Sequence, residues 1–354
     1  MNTEELNEKL QKSFEELKNN LKKPSILLAG GTGVGKSSLI NKIFGRDVAK
    51  EGIGKPVTSL IEKFESGDVY KRQEDLGVIL YDSPGYEIDK VKQFEDEVID
   101  IKKKEAVNLV WYCIQASGNR VADFDIGTIK KFRENNLPVS IIFTKRDMVS
   151  KDTINILKEV VNKEIGEIDI YEMSSTVEDE FYTKELQRLI SDAIKKLPDI
   201  LRDAFISAQK ISLDEKWNRA HGDILQHIAI AFAVPFSPIP FSDAPILVAN
   251  QMGMIARILY IYDLGGLENM LKGETVSVII GQLMSTLGKT LAVNILAFIP
   301  GIGPLIKGLI SGGVATLLTS ALGEAVNISC YKIYESVLNG NKDIEEQMKM
   351  FGDM

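Results

Sequence analysis

The eight residues Gly30–Ser37, GGTGVGKS, constrain this chain more than any other stretch. They match the pattern G-x-x-x-x-G-K-[ST] and follow Ser25–Gly30 (SILLAG), an apolar run that reads as a buried strand. A strand that feeds a glycine-rich turn and then a helix commits the surrounding chain to an α/β layer. The glycines let the backbone curl until successive N–H groups point inward, and the following helix adds the positive end of its dipole. Phosphate oxygens suit such a cradle. Lys36 supplies a point charge for the β- and γ-phosphates and Ser37 a hydroxyl for Mg²⁺; Gly30, Gly31, Thr32, Gly33, Val34, Gly35 and Ser38 complete the loop.

Further short apolar runs follow at Gly77–Tyr81, Val107–Ile114, Val139–Phe143 and Ile168–Met173, separated by polar stretches of helical period such as Lys90–Lys104 and Thr153–Lys163. Strands that are apolar on both faces and alternate with helices predict a mainly parallel sheet covered on both sides. Ser59–Ser66 alternates more strongly, as an edge strand does.

Thr144-Lys145-Arg146-Asp147 follows the apolar run Val139–Phe143. A carboxylate at Asp147 can accept from both N1–H and the exocyclic N2 amine of guanine, whereas adenine would leave it desolvated and unpaired. The stem of Lys145 would pack over the base. Asp82-Ser83-Pro84-Gly85 closes another strand, and Thr58 lies in a loop after Gly52-Ile53-Gly54.

With these motifs in this order, residues 25–195 resemble a translation-factor-class P-loop GTPase, similar to the Era-like, septin-like and immunity-related groups. The resemblance rests on GGTGVGKS, Thr58, DSPG, TKRD and Ser174-Ser175-Thr176, which stands where such GTPases carry S-A-K. It implies a six-stranded, mainly parallel sheet with one antiparallel edge strand, and GTP or GDP bound with Mg²⁺. Ser37, Thr58 and, through water, Asp82 would hold the metal. The Gly85 N–H would meet the γ-phosphate, and Thr144, Lys145, Asp147, Ser174 and Ser175 would surround guanine, the Ser175 N–H facing its O6. The implied reaction is transfer of the γ-phosphoryl group to water, with Lys36, Thr58 and Gly85 at the reacting phosphate.

Two departures bear on rate. Tyr86 stands where Ras-like proteins carry the water-orienting Gln, and Gly33 stands where potassium-dependent relatives of Era carry Asn. Neither accelerator is visible, so intrinsic turnover is expected at or below roughly 10⁻⁴–10⁻² s⁻¹. An Arg from an activating protein or a second copy would raise it; Arg72 and Arg120 are internal candidates.

Composition then divides the chain. Of residues 1–210, 70 are charged, but only 22 of residues 211–354 are, and between Thr275 and Gly323 the charges are Lys289 and Lys307. This predicts an N-terminal amphipathic helix over 1–23, a GTPase domain over 24–205 and an apolar α-helical domain over 206–354. Leu6, Leu10, Phe14, Leu17 and Leu21 supply the stripe of the first helix. No apolar signal-peptide core stands near the start.

In the second half, uncharged runs of 19, 14, 17 and 16 residues lie at Ile224–Ser242, Thr275–Gly288, Thr290–Ile306 and Gly308–Gly323, with prolines interrupting the first and third. A spanning helix wants about 20 consecutive apolar residues. A tightly packed bundle and one that touches or partly enters a bilayer therefore both stay open. FSDAPILVANQMGMIARI and FIPGIGPLIKG resemble the YcjF-like helical domain of unknown function that is fused to GTPases in many bacteria, a family described as membrane-associated. Expected localisation is cytoplasmic, either free or peripheral on or partly inserted in the cytoplasmic membrane.

Two cysteines and two histidines leave no basis for a disulfide framework or a Cys/His metal centre. A pI near 5.2 predicts no nucleic-acid partner. The favoured reading is a slow GTP-hydrolysing switch coupled to a helical effector domain. A GTP-dependent self-assembling or membrane-remodelling protein is the alternative. A ribosome-assembly GTPase is a third, but the C-terminal half lacks the G-x-x-G loop of a KH domain.

Overall fold

The structure is a computed structural model that describes residues 12–13, 16–17, 20–45, 62–64, 78–82, 107–233, 244–263 and 314–338. Two compact units are present, one spanning Lys22–Ser212 and the other combining Met1–Leu21 with Leu213–Met354.

The first unit is organised by six strands: β1 (Ser25–Ala29), β2 (Glu62–Phe64), β3 (Ile79–Asp82), β4 (Leu109–Gln115), β5 (Val139–Thr144) and β6 (Ile170–Glu172). Their order is β2-β3-β1-β4-β5-β6, all parallel except β2, which pairs antiparallel with β3 at the edge. The expected six-stranded sheet with one antiparallel edge is what forms. Its central strands are buried along their whole length, as β1 and β5 show, which is why their sequences do not alternate.

Helices α1 (Lys36–Phe44), α2 (Asp123–Glu134), α3 (Lys151–Ile165), α4 (Glu180–Lys196) and α5 (Asp199–Ala208) flank the sheet. Successive residues of β4 show the two layers. Trp111 stacks on Phe44 of α1 and meets Phe205 of α5 edge-on, with centroids 6.2 and 6.4 Å apart. Tyr112, on the other face, meets Phe132 of α2 and donates to the buried Asp125 carboxylate at 2.8 Å. Phe205 thus makes α5 part of the sheet's core, and the sequence boundary at 205/206 falls inside this helix.

Caps place the helix starts. Ser150 accepts from the Thr153 N–H at α3, and Asp179 accepts from the Phe181 N–H at α4. The chain leaves β1 towards β3 and leaves β4 towards β5, so the carboxyl ends of β1 and β4 flank a topological switch point, where α/β sheets bind ligands.

The second unit contains α6 (Leu213–Ala233), α7 (Ala244–Ile261) and α8 (Val314–Leu338). Gly323 of α8 lies so close to α6 and α7 that a Cβ there would sit 2.9 Å from Ile224 and Met254 side-chain atoms. The interior is not purely apolar. Asp223, fully buried, accepts from Arg257 at 2.9 and 3.1 Å and pairs with Arg219 at 3.1 Å. Lys216 donates to the Ile261 carbonyl at 2.9 Å. His221 and Glu324 lie 2.7 Å apart. No helix among the described residues is long and apolar enough to cross a membrane. The proline-interrupted run Thr290–Ile306 lies outside the described residues, as does most of the amphipathic helix over 1–23.

Candidate functional site

The loop between β1 and α1 owes its shape to glycines in the left-handed region, where a side chain is strained. Gly30 has φ +137°, and a Cβ there would lie 2.2 Å from the Cys113 carbonyl oxygen, so β4 leaves no room for one. Gly35 at φ +102° forms the N-cap of α1. Lys36 is buried, and its ammonium donates to the carbonyls of Gly30 at 3.0 Å and Gly31 at 3.1 Å. A cation held inside a ring of backbone, at a helix N-terminus, gives a site complementary to an anion. Thr32 and Gly33 at the loop tip are exposed, Val34 is buried, and Ser37 and Ser38 in the first turn of α1 are half-buried.

The turn after β5 grips this loop. The buried Thr144 hydroxyl donates to the Val34 carbonyl and lies 3.4 Å from that of Ile114. Lys145 takes φ +51°, and its ammonium crosses to the Gly33 carbonyl at 2.7 Å and to Gln115 Oε1 at 3.1 Å. The turn after β6 joins them. Thr176 donates from its hydroxyl to Asp147 Oδ2 at 3.2 Å, while Ser174 Oγ accepts from the N–H groups of Thr176 and Val177. Lys42 of α1 reaches the Ser174 carbonyl at 3.4 Å. Three segments that are far apart in sequence therefore meet at the carboxyl end of the sheet.

Asp82 ends β3 in register with Leu28 of β1, two residues before Gly30, where the phosphate-type loop begins. Ser37 and Asp82 are oxygen donors of the kind Mg²⁺ prefers, and a nucleotide-bound Mg²⁺ needs only one or two protein ligands beside phosphate and water. The donor chemistry fits the ion. Thr58 and Gly85 lie outside the described residues, as do Tyr86 and Arg72. Arg120 is exposed on the turn that follows β4. Among the described residues no group of three or more His, Cys, Asp or Glu could hold a metal by itself.

Residues 25–145 match the family described as 50S ribosome-binding GTPase. The probable GTP-binding protein EngB of Streptococcus equi subsp. equi is 30% identical over 168 residues, which cover 44% of this chain and 78% of EngB. The chain belongs to the P-loop GTPases of the Era and EngB type. GTPase Era of Caldicellulosiruptor saccharolyticus is 28% identical over 136 residues, 38% of this chain; the match spans 44% of Era, less than half its length. A solved Era structure with MgGDPNP and nucleotides of 16S ribosomal RNA overlays at 18% identity and a TM-score of 0.38, covering 63% of this chain and 70% of that one. The family's description names ribosome binding, and an acidic pI does not by itself exclude a nucleic-acid partner. The family match ends at Lys145, so it does not extend to the helical unit, and the likeness to the YcjF-like domain gains no support from it.

Beyond that match, this GTPase carries a network with no signature in the motifs. Arg146, the variable position of TKRD, donates from Nε to Glu172 at 2.5 Å and from a terminal nitrogen to the Val149 carbonyl at 2.7 Å. Glu172 also accepts from Lys158 of α3. Burial works to raise the Glu172 pKa, but the hydrogen bonds from Lys158 and Arg146 outweigh it and hold the carboxyl below its usual range. The Glu172 N–H donates to Glu185 Oε2 at 3.0 Å, and Glu185 in turn pairs with Arg188. Gln115, Arg146 and Glu172 escaped the sequence reading because Gln115 meets Lys145 across 30 positions and Arg146 meets Glu172 across 26.

Proposed function

We propose that this chain binds GTP and hydrolyses it slowly to GDP and phosphate, acting as a nucleotide switch coupled to its helical unit. The observation that carries the reading is the Lys145–Gly33 hydrogen bond, which draws the guanine-type turn onto the phosphate-type loop. In this reading residues 22–212 form the nucleotide domain and the helices from Leu213 onward the effector domain. Lys36 and the N–H groups of Gly33–Ser38 oppose charge on the phosphates. Asp147 and the Ser175 N–H read the base, Thr144 ties their turn to the loop, and the Lys145 stem lies along the ring. Ser37, Thr58 and, through water, Asp82 would hold Mg²⁺, which when bound would neutralise charge on the β- and γ-phosphates. The residues here bind and orient; the Gly85 N–H fixes the γ-phosphate against the attacking water.

The test is phosphate release from GTP by the purified chain, with Asp147→Asn beside it. That substitution is expected to move preference from guanine to xanthine nucleotides, because the ring position facing residue 147 changes from donor to acceptor. Equal use of ATP, or no shift in the variant, sinks the reading. The same assay addresses the effector. Specific activity that rises with protein concentration points to a second copy as the partner, and constant activity counts against it. Sedimentation of the full chain with vesicles, but not of a 1–212 fragment, is the result expected of a membrane-facing helical domain.

A further inference from the structure

Glu172 is the last residue of β6, two before Ser174, and stands in register with Phe143, the residue before Thr144. The residue is only 6% exposed, yet its carboxylate accepts from two cations, Arg146 and Lys158. A buried carboxylate is tolerated only when paired and hydrogen-bonded, and removing one partner is costly because the other charge stays behind. Arg146 is the immediate neighbour of Asp147. It is fixed at three points: guanidinium to Glu172 at 2.5 Å, guanidinium to the Val149 carbonyl at 2.7 Å, and backbone N–H to the Met173 carbonyl at 3.1 Å. Two of these anchors, Glu172 and Met173, belong to the segment that leads into Ser174 and Ser175. The turns meet again where the Thr176 hydroxyl reaches Asp147 at 3.2 Å.

We propose that Glu172 is a positioning residue for guanine recognition: through Arg146 it locks the Asp147 turn to the Ser174–Ser175 turn, so that carboxylate and N–H keep one spacing. The proposal rests on the nucleotide-site reading above and names what sets the selectivity of that site. Guanine offers N1–H and the N2 amine on one edge and O6 beside them, so its recognition needs acceptor and donor at a fixed separation. A base with fewer groups is less sensitive to that separation. Glu172 remains ionised at neutral pH, since its two donors overcome the effect of burial. The Glu185 contact to its N–H ties α4 into the same frame.

The experiment measures Kd for GDP and for IDP, which lacks the N2 amine, with Mg²⁺ and the full-length protein. Wild type is compared with Glu172→Gln, Arg146→Ala, the double variant and Asp147→Ala. Wild type should prefer GDP. Each single variant should lower that preference roughly tenfold, the size expected when a charge-assisted hydrogen bond loses its alignment. The double variant should do no worse than either single one, since the two residues form one tie. Thermal unfolding is followed in parallel. A folded single variant that unfolds at lower temperature but keeps the wild-type GDP:IDP ratio overturns the proposal and leaves the pair a packing device. Should Glu172→Gln not fold, Arg146→Ala carries the same comparison. A wild-type protein that does not distinguish GDP from IDP would instead remove the nucleotide-site reading itself.

Discussion

The ammonium of Lys145 donates to the carbonyl oxygen of Gly33 at 2.7 Å, joining positions 112 residues apart. This bond turns two local motifs into one site. Lys145 reaches it from a left-handed backbone conformation, φ +51°, which a non-glycine residue adopts only where its surroundings impose it. Here Thr144 on one side and Arg146 on the other are both anchored, to Val34 and to Glu172 respectively. The strain lies where the turn after β5 meets the loop after β1.

Lys36→Ala should weaken GTP binding by roughly two orders of magnitude or more, the scale set by losing a buried charge from a charged ligand. Titration with a fluorescent GTP analogue reads this directly. Unchanged affinity would place the phosphates elsewhere. Its ammonium now bonds two loop carbonyls, so circular dichroism is needed beside the titration to show that the fold is retained.

Gly30→Ala and Gly33→Ala should separate packing from conformational strain. At Gly30 a Cβ meets the Cys113 carbonyl oxygen at 2.2 Å in addition to an unfavourable φ of +137°, so a loss of about 3 kcal/mol or more is expected. At Gly33, φ is +70° and nothing lies within 4 Å, so about 1 kcal/mol is expected. Urea denaturation of both variants checks the order; equal losses would show that the close approach to β4 is not what demands glycine.

Glu172 makes stability depend on pH in a defined direction. Its carboxyl is held below its ordinary value in the folded protein, so the unfolded chain binds the proton more readily. The stabilisation is therefore complete above the unfolded value, about 4.3. It is lost as pH falls through the folded value. The urea midpoint of wild type should exceed that of Glu172→Gln at neutral pH, and the two should converge on acidification. A difference that stays constant down to pH values below the ordinary carboxylate range would remove this assignment.

Asp223→Ala tests the helical unit. The fully buried carboxylate gathers Arg219 and Arg257, both of which keep some contact with solvent, so the stranded cations can be partly rehydrated. A loss of about 2–3 kcal/mol is expected, below the cost of stranding a fully buried charge. Chemical denaturation followed by the fluorescence of Trp217, which lies on the same helix as Asp223, reads it. A neutral result would show that the pair is not a stabilising element.

Much of the site could be read from the chain because its motifs are local. GGTGVGKS needs only its own glycines and the strand before it, and the apolar runs of β1, β4 and β5 announce burial on both faces. The edge strand was legible from the alternation of Ser59–Ser66, of which Glu62–Phe64 pairs with β3. The end of the first unit was less legible. Phe205 belongs with Phe44 and Trp111, and that depends on three-dimensional packing which charge counting cannot detect. The helical unit misled in another way. Its low charge density gave no sign that Lys216, Asp223 and Glu324 are buried, each with a partner on a neighbouring helix.

By itself, the sequence determined the phosphate-type loop, the order of strands and helices, and the residue types presented at the carboxyl ends of β1, β5 and β6. These follow from local rules: glycine's conformational freedom, hydrophobic period and the fixed hand of strand–helix–strand connections. Only the tertiary structure decided how the segments are held together. Lys145 on Gly33, Thr144 on Val34 and Arg146 on Glu172 each join residues between 26 and 112 positions apart. No periodicity encodes such pairs, because their spacing is set by the sheet, which brings distant segments within hydrogen-bonding reach only once it has formed.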